Sequence, residues 1–297
     1  MLDRKVESYR LNTKIKDETF NVDALSVYNL SLQISPEIFR ICITDLEKSR
    51  CLLLEDYELS PASSPQQIID KVEEIYDNHH VLKAGFWKSI KLAIKTPKFS
   101  LVPNTLFQEE YAKDYLNLNC TINENIHEEI YYYKQNSIDV INIFSADRRL
   151  VEFFRKAYPG KSIQVIHHTS PLIESIILSQ PHTDDRSIFL YVEKDLVTII
   201  ITRSRTLELC NIFNFTTPED FVYYLMFVIE QLKLNPDKNP ITIWGDILPD
   251  SDIYKLLYKY IRNISFGNKP SSLYFGYYFD ELFDHSFYDL YSMHFCD

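Results

Sequence analysis

The sequence predicts an α/β protein made of two related halves, each a mixed sheet with helices packed on it. Three short runs in the second half are rich in Ile, Leu, Val and Thr, and the turns between them are too short for a crossover. These runs predict an antiparallel meander over Ser187–Val192, Leu196–Arg203 and Thr206–Phe215. A capped helix and a returning apolar strand follow the meander, and the first half repeats this order of elements.

The helix after the meander begins at a clear capping signal. Thr217 supplies a hydroxyl, a proline follows at the first helical position and Asp220 stands at the third, which predicts a helix over Phe221–Leu234. Because residues 221–229 include no charged side chain, we expect this helix to be covered on nearly every side. Ile241–Trp244 then has the composition of a buried strand that returns to the sheet.

The first half shows the same order of elements. Alternating or continuous apolar residues predict three strands, over Asn29–Gln33, Ile38–Thr44 and Cys51–Leu59. Ser64 and the proline after it then form a second hydroxyl cap, which opens a helix with Ile68, Ile69, Val72 and Ile75 along one face.

The two meanders align without gaps over their first two strands. Thr44 matches Thr202, 158 positions later, and the same offset pairs Leu30 with Ile188, Leu32 with Leu190, Ile34 with Val192, Phe39 with Val197, Ile41 with Ile199 and Ile43 with Ile201. Any two apolar meanders align at some offset, but the repeated hydroxyl and proline cap favours duplication. We therefore predict one half over residues 1–183, with insertions, and a second over 184–297, joined at the polar linker Gln180–Arg186.

Between the two meanders, one strand alternates apolar residues with lysines. Lys91 and Lys95 alternate with Ile90, Leu92 and Ile94 along Ser89–Lys95. We expect the lysine side to face water, because lysines protect an exposed sheet edge from aggregation. An anion-binding patch that also includes nearby lysines is the alternative.

The end of the chain is aromatic. Its apolar residues recur at helical spacing, which predicts an amphipathic terminal helix with Phe279, Leu282, Phe283, Phe287, Leu290 and His294 on one face. Such a stripe usually covers the protein's own sheet, and docking onto a partner is the alternative.

Composition excludes several classes of function. A net charge of −11 over 297 residues opposes nucleic-acid binding, which depends on Lys and Arg contacts to phosphates. The longest apolar run is too short to span a bilayer, and the charged N-terminus has no apolar run behind it, so we expect a cytoplasmic protein without a membrane span. Five scattered cysteines, without a CxxC pair, indicate reduced thiols.

Glycine is scarce in this chain. The sequence has 5 glycines and no two lie close together, whereas loops that wrap phosphates use clustered glycines to bring backbone N–H groups against the ligand. The sequence therefore contains neither a P-loop nor a GxGxxG motif.

Two motifs, with the duplication, resemble a known family. The segments Phe99–Phe107 and His285–Tyr291 are similar to those of the bacterial domain-of-unknown-function family 3822. This resemblance implies an actin-like ATPase fold, built from two ribonuclease H-like halves, with no established activity. More distantly, the chain resembles the actin-like cytoplasmic proteins of pilus and secretion assembly platforms.

The actin-like resemblance directs attention to two hairpins. Nucleotide-binding members of that fold carry an Asp-x-Gly type phosphate loop in the first hairpin of each half, and the matching segments here are Gln33–Glu37 and Val192–Asp195. Both lack glycine. If a nucleotide binds, the candidate contacts are Lys194 and Asp195 in the second hairpin and Gly245 and Asp246 at a strand end.

The sequence favours a non-catalytic scaffold or protein-interaction protein on a degenerate actin-like fold, with a protein partner and no cofactor. The alternative is an ATPase or kinase-like phosphotransferase that binds ATP with Mg²⁺ through atypical phosphate loops. No residue is predicted to be catalytic. The tail contains residues of metal-ligand type, but their spacing matches no metal site: Asp284, His285, Asp289, His294 and Cys296.

Overall fold

Three sheets form the framework of the computed structural model, which describes residues 7–122, 127–181 and 184–296. The first-half sheet has seven strands in the order β1-β4-β3-β2-β5-β9, with β15 paired to β4. Its strands are β1 Tyr9–Lys16, β2 Tyr28–Ile34, β3 Ile38–Asp45, β4 Arg50–Leu59, β5 Ser89–Ile94, β9 Ile163–His167 and β15 Tyr274–Phe275.

The second-half sheet has five strands in the order β12-β11-β10-β13-β14. Here β10, β11 and β12 form the antiparallel meander, and β13 and β14 extend the sheet in parallel. The strands are β10 Arg186–Glu193, β11 Leu196–Arg203, β12 Thr206–Asn214, β13 Ile241–Gly245 and β14 Ile264–Phe266.

The two halves share strand register. Leu30 pairs with Ile43 in the first sheet, and Ile188 pairs with Ile201 in the second, as the offset of 158 positions requires. The pairing of the second and third strands also shifts at equivalent places, directly after Ile43 and directly after Ile201. Matching irregularities of this kind support the duplication more strongly than apolar composition does.

A small three-stranded sheet is inserted between β5 and β9. Its strand order is β6-β8-β7, and a short helix packs against it. Its elements are β6 Phe99–Pro103, α2 Ala112–Asn117, β7 Glu128–Lys134 and β8 Val140–Asp147. Strands β7 and β8 form an antiparallel hairpin within this sheet.

Each large sheet has capped helices on one face. On the first-half sheet these are α1 Pro65–Asn78 and α3 Arg148–Ala157, and on the second they are α5 Pro218–Gln231 and α6 Asp252–Tyr260. The hydroxyl of Ser64 accepts a hydrogen bond from the Gln67 N–H, and that of Thr217 accepts one from the Asp220 N–H. The two predicted caps are therefore present.

The expectation that the helix after the second meander is covered on nearly every side is wrong. The side chains of Tyr223 and Phe227 are exposed, and that of Met226 is only half-buried. Aromatic residues are tolerated on a helix surface because part of every folded surface is apolar. The buried face of α5 is formed by Phe221, Val222, Leu225, Val228 and Ile229.

The last helix of each half packs on the sheet of the other half. Helix α4, Thr169–Ser179, ends the first half, yet its apolar side chains pack on the second-half sheet against Phe189 and Ile200. The chain's last helix, α7 Tyr288–Ser292, packs in turn on the first-half sheet, against the face opposite α1 and α3. Each half therefore completes the core of the other.

The tail is not one amphipathic helix, so that expectation is wrong. Among the tail residues up to 296, which the structure describes, only Tyr288–Ser292 are α-helical, and 3₁₀ turns over Tyr277–Glu281 and Met293–Phe295 lie on either side. Phe287 adopts a left-handed conformation at φ 56°, which interrupts the helical period. The tail nevertheless covers the protein's own sheet, since Phe279, Leu290 and Tyr291 are buried against it.

The division at residues 183 and 184 stays a prediction. Part of the proposed linker Gln180–Arg186, namely residues 182–183, lies outside the described residues. Within the described ranges, no helix has the length and apolarity that crossing a membrane requires.

Candidate functional site

The turns of the two hairpins face each other across a cleft between the halves. We call this the central cleft; its volume is about 280 Å³. The first hairpin, Gln33–Glu37, joins β2 to β3, and the second, Val192–Asp195, joins β10 to β11. Among the residues that line the cleft are Pro36, Glu37, Lys95, His168, Glu193, Lys194, Asp195 and Asp246.

Arg40 connects the two halves beneath the cleft. It lies in the middle of β3 and is 3% exposed. Its Nε donates to Asp56 Oδ1 at 2.7 Å within its own half, and its Nη1 donates to Glu193 Oε1 at 2.7 Å in the other half. Burial alone would lower the pKa of Arg40, but these carboxylates raise it well above its usual value.

Lys95, which follows the end of β5, is a second buried cation at the central cleft. We call Arg40, Lys95 and the carboxylates that they contact the buried ion network. The Lys95 ammonium lies 2.5 Å from Glu193 Oε2 and 2.5 Å from Asp289 Oδ2. Its side chain is 5% exposed and that of Asp289 is fully buried. The prediction that the lysine side of this strand faces water is therefore wrong for Lys91 and Lys95, both of which are buried.

Asp289 is held from several sides by hydrogen-bond donors. Its carboxylate accepts from Gln33 Nε2 at 2.7 Å, from the Tyr191 hydroxyl and from the main-chain N–H of Leu290. Burial alone would raise the pKa of Asp289, but Lys95 and Arg40, together with hydrogen bonds, lower it to about 2. A residue of the chain's last helix is thus bonded to both halves.

The lowered pKa of Asp289 predicts that the stability of the protein depends on pH. Its folded-state pKa of about 2 lies below the ordinary value of 3.8, so its contribution to stability is complete above about pH 4 and is lost as the pH falls through about 2. In denaturant unfolding over this range, we expect Asp289→Asn to show a smaller decline in stability than the wild type. The exposed control Asp250→Asn should keep the wild-type decline; an unchanged slope in Asp289→Asn would contradict the assignment.

The candidate residues of the second hairpin do converge on the cleft. Lys194 adopts a left-handed conformation at φ 48° in the turn, and its ammonium lies 2.6 Å from Glu37 Oε2 of the first hairpin. This ion pair crosses the mouth of the cleft, and both side chains are half-exposed. Asp195 lines the cleft, while its main-chain carbonyl accepts a hydrogen bond from the Phe215 N–H.

Gly245 and Asp246 lie behind the second hairpin. Gly245 has a φ of +102°, and a Cβ on it would lie 1.9 Å from the carbonyl oxygen of Val192. The glycine therefore permits a close approach of two backbones. Asp246 Oδ2 lies 3.7 Å from Arg40 Nη2, and burial raises the pKa of Asp246 even though its side chain is partly open to the cleft.

The cleft carries an excess of negative charge. Two buried cations face four carboxylates in the network: Arg40 and Lys95 against Asp56, Glu193, Asp246 and Asp289. The lining residue His168 adds no positive charge, because burial lowers its pKa to about 3. No three His, Cys, Asp or Glu side chains converge on a possible metal site within residues 7–122, 127–181 and 184–296.

Sequence reasoning missed the residues that form most of this network. Arg40 interrupts an otherwise apolar strand, and Gln33 lies at the end of another, so a polar residue inside an apolar run was the available signal. Lys95 and Asp289 are 194 positions apart, and no local pattern connects them.

Comparison with solved structures identifies the fold. A Bacteroides thetaiotaomicron protein with an actin-like ATPase fold and unknown function is similar over 94% of this chain and 99% of its own, with a TM-score of 0.80 and 20% identity. The type IV pilus biogenesis complex of PilM and PilN contains a chain that is similar over 90% of this chain and 97% of its own, with a TM-score of 0.56 and 9% identity. The chain therefore has the two-lobed actin-like ATPase fold.

Sequence comparison identifies the family. No curated protein matches the chain significantly by sequence. A family model does match residues 17–264, which is most of the chain. The chain belongs to the family described as "Protein of unknown function (DUF3822)".

Proposed function

We propose that this chain is a non-catalytic scaffold that binds a protein partner on a degenerate actin-like fold. The observation that carries the proposal is the buried ion network of the central cleft. Arg40, Lys95 and Asp289 link the two halves through side chains, at the place where nucleotide phosphates would connect them in a nucleotide-binding relative. Side-chain ion pairs thus join the two halves.

The cleft is a poor match for a triphosphate. Phosphates need clustered N–H donors or free cations, yet Lys95 is neutralised by two carboxylates and Lys194 is paired with Glu37. Pro36 of the first hairpin has no N–H to donate. The volume of about 280 Å³ is also slightly below the range for ligand pockets, roughly 300–1,000 Å³.

The similarity to the PilM–PilN complex is a similarity of fold, and it does not identify a partner for this chain. PilM is part of a complex with PilN, and the similarity at 9% identity extends to the fold alone. A protein partner remains part of our proposal for this chain.

One observation favours the alternative, a nucleotide-binding ATPase or kinase-like phosphotransferase. Lys194, Asp195 and Asp246 all line the cleft, so the candidate residues do meet at one place. Asp195 could hold Mg²⁺, but Mg²⁺ is normally bound jointly by carboxylates and substrate phosphates. Among the described residues that line the cleft, both lysines are paired with carboxylates, so no free cation is present to bind those phosphates.

Titration calorimetry with Mg-ATP separates the two proposals. We expect no saturable binding below roughly 1 mM, which corresponds to about −4 kcal/mol, and no hydrolysis above background. Micromolar binding that Asp195→Ala abolishes would overturn the scaffold proposal and favour the ATPase. Asp250→Ala, an exposed acid outside the cleft lining, is the matched control.

A further inference from the structure

A second concave surface lies where the small sheet faces the second half. Strand β6, at one edge of the small sheet, and strand β12, at one edge of the second-half sheet, line a groove of about 580 Å³. We call it the edge groove. Two edge strands of different sheets therefore face one space, and the two strands are not paired with each other.

Along β12, the direction of the main-chain groups follows from two hydrogen bonds. The Phe215 N–H donates to the Asp195 carbonyl at 2.8 Å, whereas the Ile212 N–H donates to the side chain of Asn211 at 2.9 Å. Because inward and outward residues alternate in an antiparallel ladder, the main-chain groups of Cys210 and Ile212 point away from β11. They point out from the free edge of the sheet, along which the edge groove runs.

The same reasoning applies to β6. The Asn104 N–H donates to the Asp139 carbonyl at 3.0 Å, which continues the ladder between β6 and β8. By alternation, the main-chain groups of Leu101 point away from β8. Both edges thus direct main-chain N–H and C=O groups outward, as the free edge of a sheet does when another strand can pair with it.

These two edges lack the run of charges that the edge strand β1 carries. The exposed edge strand β1 carries Arg10, Lys14 and Lys16, which is the usual defence against unwanted strand pairing. Strand β6 has no charged residue, and the single acid of β12, Glu208, lies 2.8 Å from Arg186. Among the described residues that line the edge groove, Glu208 is the one that carries a charge.

The edge groove exposes more polar than apolar surface, and its apolar part comes from both strands. Leu101, Leu207 and Cys210 come from both strands and pack on one cluster beneath α4. Neutral polar groups, including Ser100 and Asn119, lie beside them, with Asn119 Nδ2 donating to Ser100 Oγ at 3.0 Å. A charged ligand would find no free counter-charge on this lining, so the chemistry matches an uncharged, partly apolar occupant.

We propose that the edge groove binds an extended, uncharged peptide segment of a partner protein, which pairs as an added strand with β12 and packs apolar side chains against Leu101 and Leu207. Main-chain hydrogen bonds supply affinity in this mode, and alternate side chains supply specificity. The Asn211 amide swings away from the Ile212 N–H to admit the strand, at little cost because Asn211 is exposed. This inference rests on the proposed scaffold function and names its binding surface.

The test uses the full chain and a phage-displayed library of random peptides of about ten residues, the upper length of a typical strand. We expect selected peptides to be rich in alternating apolar residues and to slow hydrogen exchange at the Cys210 and Ile212 amides. Asn211→Lys places a charge on the exposed edge and should weaken binding at least about tenfold, or ~1.4 kcal/mol. Asn12→Lys makes the same change on exposed β1 and should leave affinity unchanged.

Ile212→Pro provides a backbone-specific variant, because it removes an N–H that does not bond to β11. Ile212→Pro should abolish peptide binding. If this variant does not fold, the result for Asn211→Lys alone tests the proposal. Failure to select any peptide, selected peptides that leave the β12 amides unprotected, or self-association of the chain through β12 would each overturn the edge groove assignment. The scaffold proposal would survive these outcomes, since it fails only on nucleotide binding.

Discussion

Lys95→Met is expected to lower the free energy of unfolding by about 3–5 kcal/mol, because it leaves a buried carboxylate without its cation. The side chain of Asp289 is fully buried and that of Glu193 is 14% exposed, and both carboxylates lie 2.5 Å from the Lys95 ammonium. Denaturant unfolding monitored by circular dichroism measures the loss. The double variant Lys95→Met, Asp289→Asn should lose less than the sum of the two single variants, since it removes both charges.

Lys194→Met is the matched control for this prediction. Lys194 also forms an ion pair between the halves, with Glu37 at 2.6 Å, but both side chains are half-exposed. Exposed pairs contribute about 0–1 kcal/mol, so Lys194→Met should change stability little. Equal losses in Lys95→Met and Lys194→Met would show that burial of the network does not matter.

Gly245→Ala is expected to lower the free energy of unfolding by more than about 4 kcal/mol. A Cβ at this position would lie 1.9 Å from the Val192 carbonyl oxygen, which is backbone and cannot rotate away. The same carbonyl accepts the Asp246 N–H at 2.7 Å, so any adjustment would displace the second hairpin and Asp246 together. Soluble yield and denaturant unfolding are the measurements.

Gly160→Ala provides the comparison. Gly160 also has a positive φ, +79°, but no atom lies within 4 Å of the added Cβ. The left-handed conformation alone should cost about 1–2 kcal/mol. If Gly245→Ala unfolds like Gly160→Ala, the close approach behind the second hairpin does not constrain the fold.

The repeated elements could be predicted from sequence because their determinants are local. Alternation gave the strands, hydroxyl and proline caps gave the starts of α1 and α5, and an offset shared by Thr44 and Thr202 matched the two meanders. The expectation for Lys91 and Lys95 is wrong, although the predicted strand itself is present. Alternation separates the two faces of a strand, but it does not show that the tail covers the second face.

The central cleft depends on contacts that no local pattern encodes. The Asp289 carboxylate accepts hydrogen bonds from Gln33, 256 positions away, and from Tyr191, 98 positions away. These bonds form because α7 packs on the first-half sheet. The tail's helical period suggested one long helix, yet the left-handed Phe287 breaks it and positions the short α7. The four candidate residues Lys194, Asp195, Gly245 and Asp246 came from resemblance to actin-like proteins, and Lys194, Asp195 and Asp246 line the cleft.

The most direct measurement is a crystal structure of the chain grown with Mg²⁺ and a non-hydrolysable ATP analogue. Our account predicts an intact network, with Lys95 bonded to Glu193 and Asp289, Arg40 bonded to Glu193, and no nucleotide between the hairpins. Phosphates bound between the first and second hairpins, with Lys95 or Lys194 turned toward them, would contradict it.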